Sequence, residues 1–176
     1  YELIKNVITD EYRIDIRDSN SVYEIIKNIK PNFVFHLAAQ PIVLKSYENP
    51  LSTFQTNIIG TANILDALWR INHNCTAIFI TSDKCYNNIE WTWGYRETDQ
   101  LGGKDPYSGS KGAAELVIRS YVESFFKKPE SKVRISVGRA GNVIGGGDWA
   151  PSRIVPDCVR AWSKKEKAKL RKPHST

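Results

Sequence analysis

The sequence predicts an α/β protein built on a doubly wound parallel sheet. Three observations point there. Short apolar runs alternate with helix-period segments along the whole chain. Those runs are continuous rather than alternating, as strands covered on both faces are. Chemically capable residues cluster just after Leu37, Thr81 and Val137, where a parallel sheet presents the carboxyl ends of its strands.

Each element follows from its pattern. Glu11-Tyr12-Arg13-Ile14-Asp15-Ile16 is expected to form a short strand with its turn. Ser19-Asn20-Ser21 is expected to cap a helix whose Val22, Ile25, Ile26 and Ile29 recur at about 3.6 residues, with Pro31 stopping it. Asn32 to Leu37, around Phe33, Val34 and Phe35, has the character of a buried parallel strand. Pro50 opens a long helical pattern through Thr56, Ile59, Ala62, Ile64, Leu65 and Leu68 that ends near Asn72. Ala77 to Thr81 is the next buried strand. The polar, aromatic-rich stretch from Lys84 to Pro106 is expected to be a long functional loop, since such loops rarely exist for structure alone. Tyr107 to Phe126 is helical, Lys132 to Val137 returns as a strand, and Gly138 to Arg153 is a glycine-rich connection. Val155 to Leu170 is expected to be a final, increasingly basic helix.

Composition narrows the function. No apolar run approaches the roughly 20 residues needed to cross a bilayer, and the charged start Tyr1-Glu2-Leu3-Ile4-Lys5 does not resemble a signal peptide. A cytoplasmic protein with no membrane partner is expected. The net charge of +6 would favour nucleic acid if it were spread over a face. It is not: from Ser163 onward Lys164, Lys165, Lys167, Lys169, Arg171 and Lys172 face Glu166 alone, leaving the body near neutral. No nucleic-acid partner is expected. Cys75, Cys85 and Cys158 form no C-x-x-C pair, and with only His36, His73 and His174 beside them no metal site is expected.

The strongest local signal is Tyr107-Ser108-Gly109-Ser110-Lys111. Tyr and Lys at i and i+4 lie on one helix face, and a nearby ammonium favours the phenolate that a tyrosine base requires. Alone the spacing is common. One strand earlier stands Thr81-Ser82-Asp83-Lys84, where a hydroxyl, a carboxyl and an ammonium can bond a substrate oxygen, protonate a leaving group and take or steer a proton; the same residues also suit an ordinary strand-ending turn. His36-Leu37-Ala38-Ala39-Gln40 ends a strand with small residues that admit a flat cofactor to the backbone, although His36 itself suits a packed, hydrogen-bonded role better than a catalytic one. Asp15-Ile16 offers a carboxylate to an adenine amine and an apolar contact to its ring. The run Gly138-Arg139-Ala140-Gly141-Asn142-Val143-Ile144-Gly145 imitates a dinucleotide fingerprint. Gly146, Gly147, Trp149, Pro151 and Pro156 follow instead of a helix, so it is not the phosphate loop.

Together these stretches resemble the extended short-chain dehydrogenase family over nearly the whole chain. Asp15-Ile16 is similar to its adenine-contacting pair, Leu37-Ala38-Ala39 to its cofactor-lining segment, Thr56-Asn57 to its T-N, and Tyr107 with Lys111 to its Y-x-x-x-K. The runs His36 to Pro41, Ser82-Asp83-Lys84-Cys85-Tyr86, Gly102 to Tyr107 and Gly141 to Trp149 resemble in particular the nucleotide-sugar 4,6-dehydratases that act on CDP-glucose. Related dTDP- and GDP-sugar dehydratases usually carry Thr-Asp-Glu where this chain has Ser82-Asp83-Lys84.

The resemblance implies a Rossmann-like fold, NAD as cofactor and a nucleotide-sugar as substrate. It implies Ser82, Asp83, Lys84, Tyr107 and Lys111 as catalytic residues. Asp15, Ile16, Leu37, Ala38, Ala39, Thr56, Tyr107 and Lys111 would line the cofactor, and Gln40, Asn142 and Arg153 the substrate. Tyr107 would take the C4 hydroxyl proton and Asp83 would serve as acid for water loss from C6. Lys84 would either take the C5 proton as a neutral amine or stabilise the enolate as a cation. Residues 1–140 would belong to the NAD-binding domain and 141–176 to the start of the nucleotide-sugar region. The family begins with a strand and a G-x-x-G-x-x-G loop and ends with a further substrate-binding segment. By resemblance, therefore, the chain is expected to lack the pyrophosphate cradle and part of the sugar site. It is expected to come from a homo-oligomeric enzyme, and whether it binds NAD by itself stays open. A sugar epimerase of the same family, or a non-catalytic binding protein, is the alternative.

Overall fold

A computed structural model of the chain describes residues 5–170. The start of the chain and the end of the basic tail, including Arg171, Lys172 and His174, lie outside the described residues. Tyr12–Gly141 forms one compact unit, and the remaining described residues form a second.

The first unit carries a three-stranded parallel sheet in the order β1 (Phe33–His36), β2 (Cys75–Ile80), β3 (Val133–Gly138). β2 lies between its neighbours, with Phe35 opposite Ile78 on one side and Ile78 opposite Ser136 on the other. The alternate residues Cys75, Ala77 and Phe79 face the core, where Val22 and Ile26 of α1 (Ser19–Ile29), Leu65 and Leu68 of α4 (Gly60–Ile71) and Ile118 of α5 (Pro106–Tyr121) join Phe126 and Val133. Burying side chains of this size stabilises by about 1.5–3 kcal/mol each. This parallel, helix-flanked sheet is the architecture the sequence predicts.

The helix ends are chemically marked. Asp18, not the serines after it, caps α1: its carboxylate accepts from Asn20 N and Ser21 N, and a charged acceptor suits the positive end of a helix better than a hydroxyl does. The long helical pattern from Pro50 is present, but in three pieces. Asn49 caps α3 (Pro50–Phe54) by accepting from Ser52 N, a π-turn occupies Gln55–Ile59, and α4 carries the path to the left-handed Asn72. Asp105 caps α5, its carboxylate taking both Ser108 N (3.0 Å) and Ser108 Oγ (2.6 Å), with Pro106 at the first helical position. A short helix α2 (Val43–Glu48) precedes Asn49.

Three expectations are corrected. Residues 11–16 form no strand: no ladder pairs with them among the described residues, and Tyr12 and Ile14 are exposed. An extended segment without a partner gains no ladder hydrogen bonds. Among the described residues β1 is covered on one face only, since Phe33 is 66% and Phe35 61% exposed. In the second unit, α6 (Ile154–Ser163) stops seven residues short of Leu170. Beyond it Lys164, Lys165, Lys167 and Lys169 repel one another at helical spacings, and Lys165 turns left-handed (φ 59°).

Candidate active site

The carboxyl ends of β1, β2 and β3 gather most of the residues the sequence singles out. After β2, Ser82 folds the chain into a turn over Asp83–Cys85 by accepting from Lys84 N (3.2 Å), and its hydroxyl donates to Asp83 Oδ1 (3.0 Å). Lys84 Nζ stands 3.3 Å from the same oxygen. Ser82 is buried, whereas Asp83 and Lys84 are half-exposed and able to meet a ligand. The turn is tied to β3 by Asp83 N donating to Ala140 O (3.0 Å).

α5 seats its first half on this turn. Gly112 allows the approach, because a Cβ there would stand 3.2 Å from Cys85 O and 3.0 Å from Gly102 O. Tyr107 and Lys111 lie one turn apart on the helix and are both buried. Desolvation lowers the Lys111 pKa from its ordinary value, with the neighbouring Glu115 carboxylate pulling it back up. Burial pushes the Cys85 thiol up to about 11, so it stays protonated and unreactive near neutrality.

Tyr107 is held by its backbone. Its N–H donates to Ser46 Oγ (3.1 Å) of α2, and its carbonyl accepts from Ser110 Oγ (2.7 Å). Ser110 in turn accepts from Asn57 Nδ2 (2.8 Å), and Asn57 Oδ1 accepts from Gln40 N (2.8 Å). Asn57 reaches both partners from the π-turn, a widening that recurs at functional sites in helices. No sequence motif points to Ser46, and Asn57 enters as half of the T-N pair Thr56-Asn57 without this bridging role. The visible signal is a polar stripe at helical spacing, Thr53, Asn57 and Thr61, all of them buried.

His36, at the end of β1, is a packed residue, as its sequence setting suggests. Thr61 Oγ1 gives its proton to Asn57 O (2.8 Å), so the 3.0 Å contact from His36 Nε2 is a donation to Thr61. Burial, with Lys111 second, pushes the imidazole down to about 4. Leu37 and Ala38 are exposed just beyond, and Ala39 is half-buried. Gln40 gives both amide hydrogens away, to Ile42 O and Thr53 Oγ1, leaving a carbonyl lone pair as its side chain's capacity for a ligand. Thr56 is half-buried on the π-turn.

Asp15 lies apart from that cluster. Arg17 grips its carboxylate (2.9 and 2.5 Å to Oδ2), and the hydrogen bonds from Arg17 hold it down to about 2. Ile16 packs on Gly60, where an added Cβ would come within 2.5 Å of Ile16 Cδ1. In the second unit, Asn142 is exposed, and Arg153 Nε lies 3.3 Å from Asp148 without hydrogen-bond alignment.

The family model described as GDP-mannose 4,6 dehydratase matches residues 5–169. The chain belongs to this family. It is 44% identical to the CDP-glucose 4,6-dehydratase of Salmonella typhimurium, over 99% of this chain and 50% of that protein. It is 35% identical to the CDP-paratose 2-epimerase of Salmonella typhi, over 63% of this chain and 37% of that one. The UDP-N-acetylglucosamine 4-epimerase of Methanobrevibacter ruminantium, solved with UDP-N-acetylmuramic acid, superposes with a TM-score of 0.73 at 26% identity, covering 89% of this chain and 48% of its own. The UDP-glucose 4-epimerase of Thermus thermophilus, solved with NAD, superposes at 0.68 with 28% identity, covering 80% and 44%. The chain thus spans half or less of each of these proteins. The fold is Rossmann-like. Among the described residues no helix is long and apolar enough to cross a membrane, and no cluster of three or more His, Cys, Asp or Glu is placed to hold a metal ion.

Proposed function

We propose that the intact enzyme carrying this chain is an NAD-dependent CDP-glucose 4,6-dehydratase. The observation that carries this reading is the buried Tyr107–Lys111 pair on a helix seated against the Ser82-Asp83-Lys84 turn. The 44% identity to a dehydratase of that specificity supports it.

The chain's residues fit NAD. Leu37 and Ala38 leave the backbone after β1 open to a flat ring, and the buried Lys111 cation lies near that strand end, close enough to depress His36. Tyr107, Lys111, Leu37, Ala38, Ala39 and Thr56 would line the cofactor there, with Ile16 and the part-exposed Asp15 towards its adenine. When bound, NAD supplies a reversible hydride acceptor. Tyr107 takes the C4 hydroxyl proton, with Lys111 one helical turn away. Asp83 and Lys84 then act together. Between them the ion pair holds one proton, on Lys84. A substrate that excludes water favours the neutral pair, because desolvation penalises both charges. Transfer across the 3.3 Å contact leaves a neutral amine to take the C5 proton and a carboxylic acid to protonate the departing C6 hydroxyl. When both have acted, the ion pair is restored. Ser82 donates to Asp83 and keeps it in place. Gln40, Asn142 and Arg153 are proposed to meet the nucleotide-sugar, Arg153 through its diphosphate. The enzyme is further proposed to be a homo-oligomer, with exposed Leu51 on α3 and Leu116 on α5 as apolar surface for association; sedimentation checks this.

The test is incubation of the intact enzyme with NAD and CDP-glucose, followed by the alkaline absorbance of a 4-keto-6-deoxy product. Tyr107→Phe is expected to lower turnover about 10²–10⁴-fold while sparing substrate binding. Asp83→Asn is expected to stall after C4 oxidation, with bound reduced nicotinamide building up. Conversion of CDP-glucose to an isomer without loss of water would instead mark an epimerase.

A further inference from the structure

Arg139 sits inside a glycine-rich run that imitates a phosphate loop, and it does something else. Directly after β3, its Nε and Nη2 grip both oxygens of Glu115 at 3.0 and 2.9 Å. Nη1 donates to the Tyr86 hydroxyl (2.9 Å) and to Glu97 O (3.2 Å), and the guanidinium stands over the Tyr86 ring. Tyr86 stacks on Tyr95, and Tyr95 on Trp91. Glu115 also accepts from Thr81 Oγ1 at 2.5 Å, and Thr81 immediately precedes Ser82. Glu115 lies one helical turn beyond Lys111. One side chain therefore joins the exits of β2 and β3, helix α5 and the aromatic loop.

The pair is well buried, with side chains 16% and 7% exposed. Burying such a pair yields little net stability against an apolar replacement, but its fork fixes direction and register. Tyr107 is held by a separate set of partners, Ser46, Ser110 and Asn57. The two sets share α5 and no hydrogen bond.

We propose that Arg139 is a positioning residue. It holds the loop 86–101 in place and, through Glu115 and Thr81, sets the Ser82-Asp83-Lys84 turn against α5. The inference rests on the dehydratase reading for the role of Asp83, but its loop arm does not. Loosening the clamp displaces the acid-bearing turn and leaves the Tyr107 network intact, so water loss slows while oxidation at C4 persists.

The test uses Arg139→Lys, which keeps the charge and breaks the fork, in the intact enzyme. Without substrate, tryptic cleavage after the exposed Arg96 is expected to quicken about tenfold or more, because charge-assisted hydrogen bonds close that loop. With CDP-glucose in a single turnover, reduced nicotinamide is expected to accumulate as water loss slows about tenfold or more. Unchanged cleavage, or equal slowing of oxidation and water loss, overturns the proposal. If the wild type forms no 4-keto-6-deoxy product, the dehydratase reading fails, while the cleavage arm still decides the clamp. Should Arg139→Lys not fold, Tyr86→Phe carries the test. It deletes one acceptor, keeps the ring stack and is expected to speed cleavage after Arg96 several-fold; no change there overturns the loop role.

Discussion

Single residues in this site are constrained by what their hydrogen-bonding groups already do. His36 has one tautomer because Thr61 has spent its proton on Asn57 O. Its pKa, pushed from 6.5 down to about 4 by burial, fixes the sign of a stability effect. The unfolded imidazole protonates first as pH falls, so this contribution is full above pH 6.5 and is lost on the way down to about 4. The loss is roughly 3 kcal/mol by linkage. His36→Gln is expected to narrow the stability difference between neutral and acid pH by about that amount in urea titrations; an undiminished difference would show that other groups carry it. Asp83 and Lys84 are constrained in the opposite way, as half-exposed groups paired with each other, with Ser82 donating to Asp83.

At the scale of elements, the π-turn Gln55–Ile59 is where the helix gives up ideal geometry to aim Asn57 at two partners. Asn57→Ala leaves Gln40 N and O without a side-chain partner and Ser110 Oγ without its donor, which is expected to cost roughly 2–4 kcal/mol. Denaturant midpoints check this, and a loss well under about 1 kcal/mol would show that water replaces the amide. The sequence made the helix from Pro50 to Asn72 legible, because Pro50 and Asn72 mark its ends and Leu65 and Leu68 keep an apolar period in α4. It could not show the π-turn, which arises from tertiary contacts. Tyr107 and Lys111 were legible because both sit on one helix whose start Asp105 and Pro106 mark. Arg139 was not, because its partners Glu115, Tyr86, Glu97 and, through Glu115, Thr81 lie far from it along the chain. The failed strand at residues 11–16 has the same cause: a strand is defined by a partner that local pattern does not contain.

For the molecule as a whole, helices α1, α4 and α5 gather on the face of the sheet that carries Ala77 and Phe79, while Phe33 and Phe35 stand exposed on the other. This 176-residue chain is therefore expected to enhance the fluorescence of an apolar dye such as ANS, and Phe33→Lys with Phe35→Lys to reduce that signal. An equal signal from both would place the dye elsewhere. The loop after β2 has a different bearing on the molecule. Its ends are stitched together by the Tyr86–Leu101 bridge, by Asn87 N to Gln100 O and by Gly102 N to Cys85 O. Closing a longer ring of chain adds only a logarithmic entropy penalty. Residues between the stitches and ahead of Glu97, whose carbonyl Arg139 holds, can therefore be inserted or deleted at little entropic cost. That makes this stretch the natural place for descendants of one scaffold to differ in length.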